Sequence, residues 1–296
     1  MTKTLILRVS FTRFLYFGIS KPNLVMSKTY RHIFLLLFIS CSFSTFFGQT
    51  QKLKPDVVSR FIVDIDDFIG FDSFGYGYDI KNNVFRKTKG RGIFEYKNVA
   101  LGNISKVDIQ NPLKIVLYYE DFNSVVLLDN QLNKMTEINF SQNSIPIIAG
   151  AMGMSTQNQL WIFNTLNQQI GLFDYLKNEY KTVSIPLTES IKYYQTDFNT
   201  FYWIDKKNNW FSCDIFGKIS SLGNVPDFDK IEIISPQKYI YSKANLLFYK
   251  DISKVNTAKD FEIEILEKTF NKFYYKDQIL SIFTAKEIAN YKIVTP

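Results

Sequence analysis

Residues 158–174 (NQLWIFNTLNQQIGLFD) and 113–129 (LKIVLYYEDFNSVVLLD) superpose without a gap, and no other feature restricts the fold so strongly. Aligned from Asp174 and Asp129, the apolar blocks 115–118 and 160–163 coincide, as do 125–128 and 170–173. Each copy is an apolar run, a polar centre and a second apolar run. Runs of four to six residues rich in β-branched and aromatic side chains are too short for helices, and the centres 120–124 and 165–169 carry turn formers. The pattern predicts a β-hairpin. Because both faces of each strand are apolar, the hairpin is expected between two other layers rather than on a half-solvated sheet.

Looser copies follow at 198–214, with strands 200–204 and 210–213, and at 238–251, with a tighter turn at 243–245. The closing aspartates Asp129, Asp174, Asp214 and Asp251 lie 45, 40 and 37 residues apart. A period near 40 with four short strands per unit is that of β-propeller blades. The first unit has strands near 67–71, 74–80, 84–88 and 93–98; the second covers 104–140, the third holds 145–154 just before the 158–174 hairpin, and the next two cover 191–221 and 228–266. The last, 270–296, holds three strands (270–275, 279–284 and 288–294), and a spare strand, 57–65, precedes the first unit. The expected fold is therefore all-β: six four-stranded blades, with the N-terminal strand completing the last blade beside 288–294. Closure of that kind buries both open edges. The small residues of 145–154 (IPIIAGAMGM) fit an innermost strand, where blades converge on the axis, and fit a glycine bend in an ordinary sheet equally well.

Charge reads differently once the N-terminus is set apart. Six of the 35 basic residues precede Ile33 and no acidic residue occurs before Asp56, so the remainder carries 29 basic against 28 acidic side chains. A near-neutral domain lacks the footprint of a nucleic-acid binder. The local run Arg86, Lys87, Lys89, Arg91 reads as a solvated hairpin turn, with an anion or surface contact as the alternative. The only histidine, His32, and one of two cysteines, Cys41, also lie in the N-terminal stretch. The remaining domain cannot run Ser-His-Asp or Cys-His catalysis or form an internal disulfide, and Cys213 within an apolar strand reads as a buried small hydrophobe.

Residues 26–49 (MSKTYRHIFLLLFISCSFSTFFGQ) have the basic start, apolar centre and small-residue exit of a secretory signal peptide. Met26 opens a complete leader of ordinary length, so 1–25 reads as an upstream extension from a mis-assigned start and 50–296 as a single propeller domain. The protein is expected to be exported, periplasmic or at the cell surface. The tetrapeptide Phe38-Ile39-Ser40-Cys41 resembles a lipobox, and membrane attachment, as an outer-membrane lipoprotein, would follow only if Cys41 is lipidated.

Candidate functional residues each have a bland reading. The four closing aspartates would ring one face, yet aspartate is the common turn initiator, and they read as turn caps. Asp64, Asp66 and Asp67 cluster without the glycine and terminal glutamate of a calcium loop, and no metal or cofactor is expected. Glu120, Asp121 and Asp205 sit at hairpin tips; paired carboxylates serve glycoside hydrolysis only at about 5 to 9.5 Å. Aromatics recur in the first hairpin strand, and Tyr118, Trp161, Tyr202 and Trp203 are the candidate ligand contacts should they face the channel, with packing as the alternative.

The units, above all LWIFNTLNQQIGLFD, resemble NHL and YVTN type β-propeller repeats, in which an apolar strand, an Asn-rich turn and a second strand closing on Asp recur. The resemblance covers roughly 57–296 and implies a fold, since propellers host scaffolds and enzymes alike. The tryptophan-aspartate signature of WD40 repeats is absent, as are the histidines of propeller lactonases and cyclases. Two functions are consistent with the sequence: a monomeric, non-catalytic propeller binding a protein or glycan in the envelope, and a propeller hydrolase or lyase acting on a carbohydrate or lactone through carboxylates.

Overall fold

The computed structural model describes residues 51–142, 144–253 and 260–295. The leader, the upstream extension, His32 and the lipobox cysteine lie outside these residues. Two strands, β1 (Gln51–Leu53) and β2 (Asp56–Ile62), precede the repeats. The first blade is β3 (Asp67–Phe71), β4 (Gly77–Lys81), β5 (Val84–Lys89) and β6 (Gly92–Tyr96), and the second β7 (Lys106–Asp108), β8 (Ile115–Tyr119), β9 (Ser124–Leu128) and β10 (Lys134–Asn139). The third is β11 (Ala149–Met154), β12 (Gln159–Asn164), β13 (Gln169–Asp174) and β14 (Glu179–Thr182), and the fourth β15 (Ile191–Thr196), β16 (Thr200–Asp205), β17 (Asn209–Asp214) and β18 (Ile219–Asn224). The fifth holds β19 (Lys230–Ser235), β20 (Lys238–Lys243), β21 (Leu246–Asp251) and β22 (Phe261–Ile263); the last holds β23 (Lys272–Lys276), β24 (Ile279–Phe283) and β25 (Glu287–Lys292). Consecutive strands pair antiparallel within each blade.

The ring closes as expected. Strand β2 lies antiparallel beside β25, with Val57 opposite Tyr291 and Phe61 opposite Ile288, and supplies the outer strand of the last blade. This is a six-bladed β-propeller of four-stranded blades. One addition carries no sequence signal: β1 pairs in parallel with β22, giving the fifth blade a fifth strand. The N-terminal segment thus straps two neighbouring blades. Its ion pairs follow the same route, Lys52 to Glu264 at 2.5 Å on the fifth blade and Arg60 to Glu287 at 2.9 Å on the sixth.

Alternation within the founding hairpin shows why both strand faces are apolar. Val116, Tyr118, Val125 and Leu127 enter the core shared with the third blade, whereas Ile115, Leu117, Tyr119, Val126 and Leu128 enter the core shared with Tyr78 and Phe85 of the first. All ten residues of β8 and β9 are buried. Each blade is a layer between two layers, and burying one such aliphatic side chain stabilises by about 1.5–3 kcal/mol.

The closing aspartates are turn caps. Asp129 Oδ1 accepts the backbone N–H groups of Gln131 and Asn133 at 2.8 Å, and Asp214 Oδ1 those of Phe216 and Lys218 at 2.9 and 3.0 Å. Asp174 does the same for Leu176 and Lys177, and Asp251 for Ser253. Three of the four basic residues have internal partners, Arg86 with Asp79 at 2.6 Å and Lys87 and Lys89 with the carbonyls of Asn130 and Phe74, whereas Arg91 is exposed.

Candidate functional site at the central channel

The first strand of every blade lies innermost, since β11 touches β15, β15 touches β19, β19 touches β23 and β23 touches β3. These strands wall a central cavity of about 1020 Å³. An innermost strand has one open edge, and unpaired backbone groups there are costly unless satisfied. Side chains reaching from one blade to another fill that need. Asp108 Oδ2 accepts the Met154 N–H at 2.7 Å, and Gln110 Nε2 donates to the Thr196 carbonyl at 3.3 Å. Gln195 takes both groups of Ile233, accepting its N–H at 2.9 Å and donating to its carbonyl at 2.7 Å. Glu232 Oε2 accepts the Tyr275 N–H at 2.8 Å, and the Tyr274 hydroxyl donates to the Phe71 carbonyl at 3.2 Å.

The third blade is recessed to let this pattern pass. Its innermost strand reads AGAMGM, and a β-carbon on Gly153 would lie 2.0 Å from the Thr196 hydroxyl oxygen. Both Gln110 and Lys106 therefore reach from the second blade to the fourth, where the Lys106 ammonium sits 4.7 Å from the Tyr194 ring centroid. The small residues of 149–154 mark an innermost strand, the first of the two readings.

Cross-blade contacts join strand starts to starts, as in Lys272 to Asp67 at 2.9 Å, and ends to ends, as in Asp108 to Met154. The innermost strands consequently run side by side in one direction. Four of the six carry a lysine at or next to their first residue: Lys106, Lys192, Lys230 and Lys272 all line the cavity. The neighbouring aspartates are turned to other work. Asp66 Oδ2 accepts the Asn82 N–H at 2.6 Å and Asp229 Oδ2 the Ala244 N–H at 2.8 Å, each at a hairpin tip of its own blade.

Electrostatics differ from group to group along the wall. Burial pushes the Glu232 carboxyl up to about 8, opposed by the Tyr275 N–H and the charges of Lys272 and Lys106, so it holds a proton at neutral pH. Desolvation also raises Asp108, against the N–H groups of Met154 and Gln110. Lys106 is wetted by the cavity yet walled in by protein. Desolvation and then the charge of Lys272 bring its ammonium below the ordinary lysine value. Tyr194 stacks on Phe201 at 5.8 Å, and one face of the Tyr274 ring covers Gly70, where a β-carbon would approach within 2.7 Å.

The aromatic candidates sit elsewhere. Tyr118 on β8, Trp161 on β12, and Tyr202 and Trp203 on β16 are buried in the cores between blades, and none lines the channel. The Tyr118 hydroxyl donates to the Ala149 carbonyl, Trp161 Nε1 donates to the Asp197 carbonyl at 2.9 Å, and Trp203 stacks on Phe211 at 5.2 Å. Second strands are covered by layers on both faces, whereas only innermost strands border the axis. Glu120 and Asp121 lie in an exposed turn; Asp205 caps the following turn through the Lys207 and Asn209 N–H groups at 2.8 Å. Among the described residues no group of three or more His, Cys, Asp or Glu is placed to hold a metal ion.

No protein-family model and no curated protein matches the chain. Solved structures do. The virginiamycin B lyase of Staphylococcus aureus, in its selenomethionine form, is similar with a TM-score of 0.53 at 12% identity over 83% of this chain and 96% of that one. A streptogramin B lyase is similar at 0.52 and 15% identity over 77% and 78%, and a catalytically inactive histidine-to-alanine form of the S. aureus lyase with quinupristin at 0.50 and 11% identity over 84% and 97%. At these identities the likeness is one of fold, and it agrees with the NHL and YVTN type resemblance of the repeats.

Proposed function

We propose that the protein is an exported, non-catalytic β-propeller that acts as a binding or scaffold module for a protein or glycan in the cell envelope. The observation that carries this reading is the use made of the channel's polar side chains. Asp108 gives one oxygen to Met154 and the other to the Gln110 N–H at 2.8 Å, and Gln195 is engaged at both ends of its amide. Groups committed to stapling blade edges are not free to exchange protons with a substrate. The signal-peptide pattern of 26–49 supports export, and the near-neutral domain with its sole histidine in the leader supports a binding role.

A second reading, a hydrolase or lyase using carboxylates on a carbohydrate or lactone, draws on Glu232, a carboxylic acid protonated at neutral pH in the same cavity as Asp108. It also draws on the lyase fold neighbours, though one of these is inactive after loss of a histidine, and residues 33–296 here contain none. A panel of glycosides and lactones offered to purified 50–296 separates the two. No turnover is expected; turnover that disappears in both Glu232→Gln and Asp108→Asn establishes the enzyme instead. Fractionation with a palmitate-analogue label tests the envelope location and the state of Cys41.

A further inference from the structure

Within the cavity, the cations are not equally paired. Lys272 is paired with Asp67, and Lys192 with Asp227 at 3.1 Å and the Asn208 side chain at 2.9 Å. Lys106 has no carboxylate within ion-pair distance and no hydrogen-bond acceptor among the described residues; its contact is the face of Tyr194. Lys230, at the corresponding start of β19, is exposed and likewise has no ion pair among the described residues. Glu232, two residues beyond Lys230, uses only Oε2, and Oε1 takes no hydrogen bond among the described residues. Lys106, Lys230 and Lys276, without an ion pair among the described residues, and one unmatched carboxyl oxygen thus line a single cavity of about 1020 Å³.

We propose that this end of the channel is a binding site for the carboxylate of a small organic acid, held by Lys106 beside Glu232. A lone ammonium walled by protein is stabilised by an anion that brings an opposite charge and acceptor oxygens with it. Carboxylate suits the site better than phosphate. Asp67 and Asp108 line the same cavity and repel a dianion more than a monoanion, while a protonated Glu232 donates one hydrogen bond to a carboxylate oxygen.

The proposal rests on the channel being a ligand site and identifies what enters it. Titration calorimetry on purified 50–296, with lactate, glucuronate and acetate as probes and inorganic phosphate and glucose as comparisons, tests it. At least one carboxylate is expected to bind, with affinity that falls as salt rises, no detectable binding of glucose and weaker binding of phosphate. Lys106→Gln should weaken that carboxylate at least tenfold, while Lys177→Gln, in an outer turn of the third blade, leaves it unchanged. An unfolding midpoint for each variant shows that the ring is intact. Absence of carboxylate binding, unchanged affinity in an intact Lys106→Gln ring, or phosphate binding as tightly as the carboxylate overturns the proposal. Turnover of a glycoside or lactone would instead sink the non-catalytic reading and leave the carboxylate site standing.

Discussion

Gly153 of the third blade and Thr196 of the fourth are in such close contact that a β-carbon at the first would lie 2.0 Å from the hydroxyl oxygen and 3.0 Å from the β-carbon of the second. Thr196 is β-branched and sits on an innermost strand, so it cannot swing away as a flexible tip would. Gly153→Ala is expected to lower stability by about 1–3 kcal/mol, the usual cost of overpacking. Adding Thr196→Ala should recover part of the loss, because it removes the hydroxyl and methyl but not the β-carbon. Urea denaturation of the single and double variants measures both effects; a Gly153→Ala ring as stable as the parent would mean the third blade is not recessed.

Glu232 makes stability depend on pH with a definite sign. Its carboxyl titrates at about 8 in the folded ring and near the ordinary 4.5 when unfolded. Between those values the native state holds a proton that the unfolded chain has lost, so this group's contribution to stability falls as pH rises from 4.5 to 8. The slope for one proton is at most about 1.4 kcal/mol per pH unit. Glu232→Gln keeps an oxygen for the Tyr275 N–H and cannot titrate. Parent stability minus variant stability should therefore decline across pH 4.5–8, with Glu232→Gln the more stable protein at pH 8.5. A flat or rising difference in paired denaturation curves contradicts the assignment.

The Cys213 thiol has no solvent exposure, and burial, with a smaller contribution from the charge of Asp214, pushes it up to about 12. Both a closed path and a suppressed thiolate protect it. In 50–296, labelling by a thiol reagent at neutral pH should run at least roughly a thousandfold slower than in denaturant and should track global unfolding. Rapid native labelling would show that the interface between the third and fourth blades opens locally.

The blades were legible in the sequence because a hairpin sealed on both faces must be apolar throughout, and that demand writes itself into 113–129 and 158–174. Closure was legible too, since three strands at one end and a spare at the other leave a single way to complete the ring. The channel was not. Its wall draws residues from all six innermost strands, among them Asp67, Lys106, Asp108, Met152, Tyr194, Glu232 and Lys272. They are scattered across the whole domain and form no local motif. A faint signal existed, because KVD, KIEIIS and KFYYK each open on a lysine. Aromatic density pointed to Tyr118, Trp161, Tyr202 and Trp203 instead, for bulk accumulates where two layers press on a strand. Strand β1 was silent for another reason: three residues, QKL, carry no periodicity, and their pairing depends on where β22 has already been placed.

The N-terminal strap makes the last prediction. Arg60 on β2 pairs through Nη2 with Glu267 at 2.6 Å and through Nη1 with Glu287 at 2.9 Å, and its Nη2 also contacts the Tyr291 hydroxyl at 3.0 Å. The Glu267 side chain is only 6% exposed, so losing the guanidinium leaves a largely buried carboxylate with Tyr291 as its remaining partner. Arg60→Ala is expected to cost about 1.5–3 kcal/mol, the range for hydrogen bonds to charged groups. Arg60→Lys should recover only part of it, because one ammonium cannot reproduce the two-pronged geometry. A chain beginning at Val63 removes more: it uncovers the edge of β25 from Ile288 to Tyr291 and unpairs β22 from β1. An uncovered edge recruits strands from other molecules. That shortened chain should melt lower and associate in proportion to its concentration, as seen by light scattering, and supplying 51–62 as a separate peptide should suppress the association. A shortened ring that stays monomeric and melts with the parent would show that six blades close without the strap.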